Sequence, residues 1–292
     1  MKYAFITQHM NTWPISLQCQ ALGVSRPCYY HYCHHTEGKP ADPEHQDMLA
    51  WVKKIAAASD DTYGSRRMKR AMNGLGYPIS RNKARKLMRE ANVQVRHRRK
   101  YKVTTNSNHK QPVFENLLQR QFDVTQPDQV YASDVTYIWT QEGWLYLAVV
   151  IDLCSRKVVG WSMSTRMKAQ LVCDALKMAI WQRRPATGLI HHSDRGSQYA
   201  SRAFRQLLKV HGFKGSMSRK GDCWDNAVVE SLFGSLKQER VHWRNYQTRY
   251  EAQQDILNYL AVFYNNYRLH STLDYMSPAD YEKQLTEMKK TA

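Results

Sequence analysis

Between Val130 and Ser164 lie three runs dense in β-branched and aromatic residues, VYASDVTYIW, GWLYLAVVIDL and KVVGWSMS, with gaps between them only long enough for turns. Such runs pair as an antiparallel meander, which fixes three adjacent strands before any other element is placed. Residues 167–182 then show helical spacing at Leu171, Ala175, Met178 and Ile180. GLIHH supplies a fourth strand, Gln198 to His211 a helix, Phe213 to Met217 a short fifth strand, and Trp224 to Glu239 a long helix. A final amphipathic stretch carries Ile256, Leu257, Leu260, Phe263, Tyr264 and Tyr267. A meander followed by strand–helix alternation predicts an α/β domain with a mixed five-stranded sheet and helices against it.

The half of the chain before Val130 reads differently. TYGSRRMKRAMNGLGYPISRNKARKLMREANVQV has one apolar stripe at Met68, Met72 and Leu75, a break from Gly74 to Pro78, and Ser80 as N-cap of a helix from Arg81 to Ala91. That second helix carries Arg81, Lys83, Arg85, Lys86 and Arg89, as a helix entering a DNA groove does. Arg98, Arg99 and Lys100 follow, and Glu90 is the only acid between Arg66 and Lys102. ISLQCQALGVSRPCYYHY repeats the helical pattern more weakly, with Leu17, Ala21 and Leu22 on one face and a turn at Gly23. The expected order is therefore a helical region over 1–50, a basic helix-turn-helix-like unit over 51–102, a polar linker over 103–129, the α/β core over 130–240 and a helical extension over 241–292.

Charge narrows the partner. Forty-three Lys and Arg against 25 Asp and Glu leave +18 at neutral pH, and an excess of that size calls for a polyanion. No segment reaches the roughly 18 apolar residues of a membrane span, and the opening MKYAFITQHMNTW lacks the apolar core of an export signal. DNA in the cytoplasm is the expected partner, and the six scattered cysteines are expected to stay reduced. Cys28, Cys33, His34 and His35 suggest zinc only weakly, because they form one crowded run and not two separated pairs.

Three carboxylates stand where chemistry could use them. Asp134 lies in the middle of the first strand, Asp194 just past the fourth in HHSDRGSQY with Gly196 beside it, and Glu230 in the helix DNAVVESLFGSLKQE. A carboxylate among buried strand residues is costly unless something compensates it. Asn226, Glu230, Gly234 and Lys237 recur at helical spacing, so Lys237 projects toward whatever Glu230 binds. Hard oxygen ligands suit Mg²⁺ or Mn²⁺, and two such ions about 3.5–4 Å apart serve both oxygens of an in-line phosphoryl transfer. The alternatives are structural: Asp134 satisfied by amides, Glu230 in an ion pair with Lys237, Asp152 paired with Arg156, Asp174 solvated, and Asp222 and Asp225 capping the Glu230 helix. Trp139, Trp144 and Trp161 are expected in the core, and Tyr264, Asn265, Arg268 and His270 either hold DNA or brace the catalytic helix.

Asp134 and Asp194 are 60 residues apart, Asp194 and Glu230 are 36 apart, and Lys237 follows seven later. These spacings, with VYASDVTYI, GWLYLAVVIDLCSRKVVGW, HHSDRGSQY, KGDCWDNAVVESLFGSLKQE and YNNYRLHSTLDYMSP, resemble the DDE signature of retroviral integrases and insertion-sequence transposases. The match is closest to the family encoded in two overlapping reading frames, and to its second-frame product, over essentially the whole chain. The resemblance implies an RNase H-like core and two Mg²⁺ ions, for which Mn²⁺ substitutes, on Asp134, Asp194 and Glu230. It implies hydrolysis at an element end, then attack of the freed 3′-OH on another phosphodiester, with no covalent enzyme–DNA intermediate. It assigns Lys237, with Asn226 and Arg268, to DNA. The partners it implies are terminal-repeat and target duplex DNA, further copies of this chain, and the first-frame product as a fusion or partner, in the bacterial cytoplasm at the nucleoid. The non-catalytic alternative is a DNA-binding regulator of transposition, and a second is a plain nuclease that cuts without joining.

Overall fold

The computed structural model describes residues 2–36, 42–96, 112–119, 121–219 and 223–291. Strands β1 (Val130–Thr140), β2 (Gly143–Asp152) and β3 (Val158–Ser164) form the meander, and β4 (Ile190–Ser193) and β5 (Lys214–Met217) add to it in the order β3-β2-β1-β4-β5. β1 and β2 are antiparallel, as are β2 and β3; β4 lies parallel to β1, and β5 parallel to β4. The parallel additions follow from the helices between them. A crossover through a helix returns the chain to the same end of the sheet, whereas a turn reverses it.

Strand alternation separates two cores. Leu145, Leu147, Val149 and Ile151 of β2 face one side with Ala132 and Ile138 of β1, where helix α9 (Ala227–Glu239) and the C-terminal segment cover them with Val229, Leu232, Phe233, Leu236, Ile256 and Tyr259. Ala148 and Val150 face the other side, under α7 (Ala169–Arg183) and α8 (Arg202–Val210), with Leu171, Val172, Leu176, Phe204 and Leu208. Both faces of the sheet are thus covered, which is why these strands read as nearly continuous apolar runs.

The N-terminal part holds two smaller cores. α1 (Lys2–Gln8), α2 (Ile15–Ala21) and α3 (Arg26–Thr36) meet at Ile6, Cys19 and Tyr29. α4 (Pro43–Ala58), α5 (Ser65–Gly74) and α6 (Arg81–Glu90) meet at Met48, Val52, Met68, Met72, Ala84 and Leu87. The Ser80 hydroxyl accepts from the Lys83 amide at 3.1 Å, so the expected N-cap is present. The boundary expected at residue 50 falls inside α4, which shares the core of α5 and α6. The expected linker also packs in part: Leu118 is buried, and Asn116 donates to Asp225 at 2.8 Å. Leu17 and Leu75, expected on buried stripes, are exposed, the first because α2 buries Gln18 and Cys19, the second because α5 ends at Gly74.

α10 (Arg249–Leu257) continues into a π-helical stretch, Asn258–Tyr264, and the chain ends on α11 (Pro278–Thr291). Among the described residues no helix is long and apolar enough to cross a membrane.

Candidate functional site

The register of β1 against β4 ends at Ser133 opposite Ser193, so Asp134 and Asp194 each stand one residue beyond the last pair, side by side. β4 stops there because Asp194 turns: its Oδ1 accepts from the Gly196 amide at 2.9 Å. A Cβ at Gly196 would lie 2.9 Å from that oxygen, which is why the turn needs glycine. Asp134 keeps one oxygen on the Val135 amide at 2.7 Å. From the opposite side, Asn226 donates to the Ser133 carbonyl at 3.2 Å and ties the start of α9 to β1 immediately before Asp134. Glu230, one turn into α9, is exposed.

The carboxylates lie within one another's fields. Burial pushes Asp134 well above the usual carboxylate range, and the charges of Asp194 and Glu230 push it further, against the Val135 amide and Lys237. Partial desolvation of the carboxyl group, on a residue otherwise exposed, and the charge of Asp194 raise Glu230 as well. Lys237 is buried, with Nζ 4.9 Å from the centre of the Tyr137 ring; burial lowers its ammonium, and Asp134 opposes that. Like charges this near one another disfavour their own ionisation, and a cation among them would relieve it. As the side chains stand, no group of three or more His, Cys, Asp or Glu among the described residues is close enough set to hold a metal ion.

The floor beneath is neutral and hydrogen-bonded. His191 meets Ser133 at 2.8 Å, and His192 meets Ser216 at 2.9 Å and Ser218 at 3.3 Å. Burial holds these imidazoles down to about 3 and about 4, so both are neutral at physiological pH. Tyr199 was not singled out in the sequence. It is fully buried, and burial with the charges of Asp134 and Asp194 raises its phenol. Its position five residues past Asp194, in a motif already noted, was the available signal.

Several expectations are corrected. Arg268 is engaged within the chain: it is buried on Glu239 through two bonds of 2.8 and 2.7 Å and on Ser235 at 2.8 Å, which is the bracing role of the two expected for it. Burial alone would raise Glu239, but Arg268 holds it below the usual range, and Tyr259 adds a bond at 2.7 Å. Asn226 is likewise buried, as the brace just described. Asn265 clamps both the amide and the carbonyl of Val158 at 2.9 Å, so the C-terminal polar residues brace the core. Asp152 accepts from Ser155 and Asp128, while the Arg156 guanidinium goes to the Phe122 carbonyl. Asp225 accepts from Asn116 and Arg219 and does not cap α9, whose first turn has no side-chain cap; Asp222 lies outside the described residues. Trp139 and Trp144 are 53% and 43% exposed, not in the core.

Of the basic residues, Arg81, Arg85, Lys86 and Arg89 are exposed along α6, and Lys83 is half-buried. Arg98, Arg99 and Lys100 lie outside the described residues. The helical unit is joined to the core through the end of α9: Arg67 lies 3.5 Å from Glu239, Arg240 meets Asp60, and Tyr63 donates to the Tyr267 carbonyl at 3.2 Å while accepting from the Leu269 amide at 2.9 Å.

A helical basic unit followed by a mixed five-stranded sheet, with carboxylates gathered where β1, β4 and α9 meet, defines an integrase-type protein with a helix-turn-helix-like domain. The family model for the HTH-like domain matches residues 43–101, and two for the integrase core domain match residues 124–223 and 230–285. Transposase InsF for insertion sequence IS3A of Escherichia coli (strain K12) is 40% identical over 285 residues, covering 97% of this chain and 99% of that protein. The insertion element IS600 uncharacterized 31 kDa protein of Shigella sonnei is 41% identical over 272 residues, covering 92% and 99%. The chain belongs to the IS3 family of insertion-sequence transposases, with an RNase H-like, integrase-type core. Among solved structures, the simian T-cell lymphotropic virus intasome in complex with PP2A regulatory subunit B56 gamma aligns with a TM-score of 0.46 at 15% identity, over 71% of this chain and 68% of that one. The catalytic core domain of BIV integrase aligns with a TM-score of 0.40 at 18% identity, over 56% and 99%.

Proposed function

We propose that this transposase cuts DNA at the ends of its insertion sequence and joins the freed 3′-OH to a second phosphodiester, with Asp134, Asp194 and Glu230 as the catalytic carboxylates. The observation that carries this is the convergence of three mutually repelling carboxylates from β1, the end of β4 and α9. Their hard oxygen donors fit Mg²⁺, with Mn²⁺ able to substitute, and a divalent ion would relieve the repulsion that raises Asp134 and Glu230. Bound there, two such ions would activate the attacking oxygen and stabilise the leaving one. Asp134 and Asp194 are fixed by strand register, whereas Glu230 depends on the seating of α9. Lys237, beside Asp134, positions the negatively charged DNA backbone.

The chemistry balances without an external energy source. In cleavage, water forms a P–O bond as the bond to the 3′ oxygen breaks and that oxygen takes a proton. In joining, the 3′-OH forms the new bond as another P–O bond breaks, so the number of phosphodiesters joined and opened is equal. The exposed cations of α6, continuing into Arg98, Arg99 and Lys100, hold the terminal-repeat duplex; a homo-oligomer presents two ends to a target, and the first-frame product acts as a fusion or partner. The reaction belongs in the bacterial cytoplasm, at the nucleoid.

The test is Mg²⁺-dependent nicking and joining of linear DNA bearing the ends that flank this gene. Asp134→Asn, Asp194→Asn and Glu230→Gln are each expected to remove both activities while leaving DNA affinity within a few-fold of wild type. Wild-type cleavage by any of the three would refute the assignment of that residue. Cutting without joining by the wild-type chain would mark a nuclease. Binding without chemistry that the first-frame fusion restores would place the missing function in that partner; binding without chemistry in both would mark a regulator.

A further inference from the structure

β1 outlasts its parallel neighbour: β4 pairs it only as far as Ser133, and beyond that point β1 runs on to Thr140 with β2 as its one strand partner, one face buried at Thr136, Ile138 and Thr140. On this projecting ribbon Trp139 stands opposite Trp144, with ring centres 4.7 Å apart at 72°, and Tyr137 meets Trp144 edge-on at 5.0 Å. The packing is specific, yet both indoles remain about half open to water. Exposed indoles held rigid against one another offer a large apolar face at little entropic cost. The strip is bounded by cations at both ends. Lys237 lies over the Tyr137 ring, and the Arg249 guanidinium rests on the hairpin turn, donating from Nε to the Trp144 carbonyl at 3.2 Å. Gly143, at φ +106°, leaves room for it, since a Cβ there would lie 2.9 Å from the guanidinium.

Lys237 also connects the strip to the carboxylates, because the same ammonium lies in the field of Asp134. Tyr137 and Trp139 are three and five residues beyond Asp134, roughly 10 and 17 Å along an extended strand; at these odd offsets they belong to the opposite face of the sheet, and Lys237 joins the two around the free edge of β1, where it reaches the Tyr137 ring. At about 3.4 Å per base step those distances span roughly three to five nucleotides. Aromatic faces between cations are the surface on which unpaired bases stack while their phosphates are neutralised.

We propose that Tyr137, Trp139 and Trp144 form a stacking platform for an unstacked base of the reacting DNA, three to five nucleotides from the phosphate at the carboxylates. This rests on the function proposed above and deepens it: the enzyme holds its DNA locally opened beside the cut. Occupancy by a base, and not by another protein surface, follows from the flanking cations, one of which, Lys237, also lies in the field of Asp134.

The experiment uses the full chain and linear DNA bearing the flanking ends, with thymines placed two to six nucleotides from the cleaved bond and probed with permanganate, which oxidises unstacked thymine. Reactivity at about positions three to five is expected in the wild-type complex and equally in Asp134→Asn, which removes chemistry but leaves the platform. Trp139→Leu and Trp144→Leu keep apolar bulk without a π face and are expected to abolish that reactivity and weaken binding about five- to a hundredfold, the range that stacking of one base supplies. Trp139→Phe should retain much of both, and thermal unfolding of each variant establishes that it folds. A permanganate pattern unchanged in both leucine variants overturns the platform, as does loss of self-association in them with the DNA pattern intact. Failure of the underlying catalytic assignment has a different signature: cleavage retained in Asp134→Asn.

Discussion

α6 and α9 are both short helices that carry functional charge, and they hold it in opposite ways. On α6 the cations Arg81, Arg85, Lys86 and Arg89 stand in water, while Ala84, Leu87 and Met88 on the other face make the core. On α9 Glu230 is exposed, but Lys237 and Glu239 are buried, and their partners come from remote parts of the chain: Lys237 works against Asp134, and Glu239 is held by Arg268, Tyr259 and Arg67. On α6, charge and stability are separable. On α9 the residues that aim the site also hold the molecule together, and Glu239 links the helical unit, α9 and the C-terminal segment at one point.

The largest effect is expected at that point. Glu239→Gln leaves Arg268, and in part Arg67, buried without a counterion, and removing one member of a buried pair costs about 3–5 kcal/mol. Urea unfolding should show the fall in midpoint, and adding Arg268→Met should recover part of it, because the double variant no longer strands the Arg268 charge. A loss under 1 kcal/mol would mean that the network contributes little and that α9 is no different from α6.

An intermediate effect is expected at His270, which is packed edge-on against Tyr264 at 4.8 Å. Burial, with the positive charges of Arg268, Arg67 and Arg156, holds its imidazole down to about 2. Unfolded histidine titrates near 6.5, so below that pH the unfolded chain binds a proton that the folded chain refuses. Its contribution to stability is complete above about pH 6.5 and is lost as pH falls toward 2, at up to about 1.4 kcal/mol per pH unit. His270→Phe keeps the ring contact and should flatten the fall in stability between pH 6.5 and 4. An unchanged slope would mean that the imidazole is charged in the folded protein.

The smallest effect on stability belongs to α6. Arg85→Ala and Lys86→Ala should each leave stability within about 0.5 kcal/mol, as exposed substitutions do. Each is expected to weaken DNA binding and to reduce the slope of log affinity against log salt by about 0.9 for every phosphate contact removed. Stability losses of the size expected at Glu239 would erase the contrast between the two helices.

How far the sequence could be read follows the same division. The order of strands and helices along the chain, the Ser80 cap and the exposed cations of α6 depend on period, turn length and neighbours within a few residues, and all are legible in the sequence. The three carboxylates could be singled out by spacing and motif. Arg268 and Asn226 carry the same motif signal, but their partners Glu239 and Ser133 are 29 and 93 residues away, a distance that no local pattern spans. Trp139 and Trp144 were misread for the opposite reason: their composition marks a strand, but whether a strand residue is covered depends on whether another element reaches it, and β4 ends at Ser133.

The sequence by itself determined which segments become strands and helices, which of them carry unopposed positive charge, and which acids stand at strand centre, strand end and helix, because those properties are set by side-chain periodicity and short-range sterics. The tertiary structure alone decided that Asp134 and Asp194 end up side by side, that Glu239 and Arg268 neutralise each other and that two tryptophans stay in solvent. These depend on register and on the lengths of neighbouring elements, and burial then turns each placement into a charge state or an exposed face.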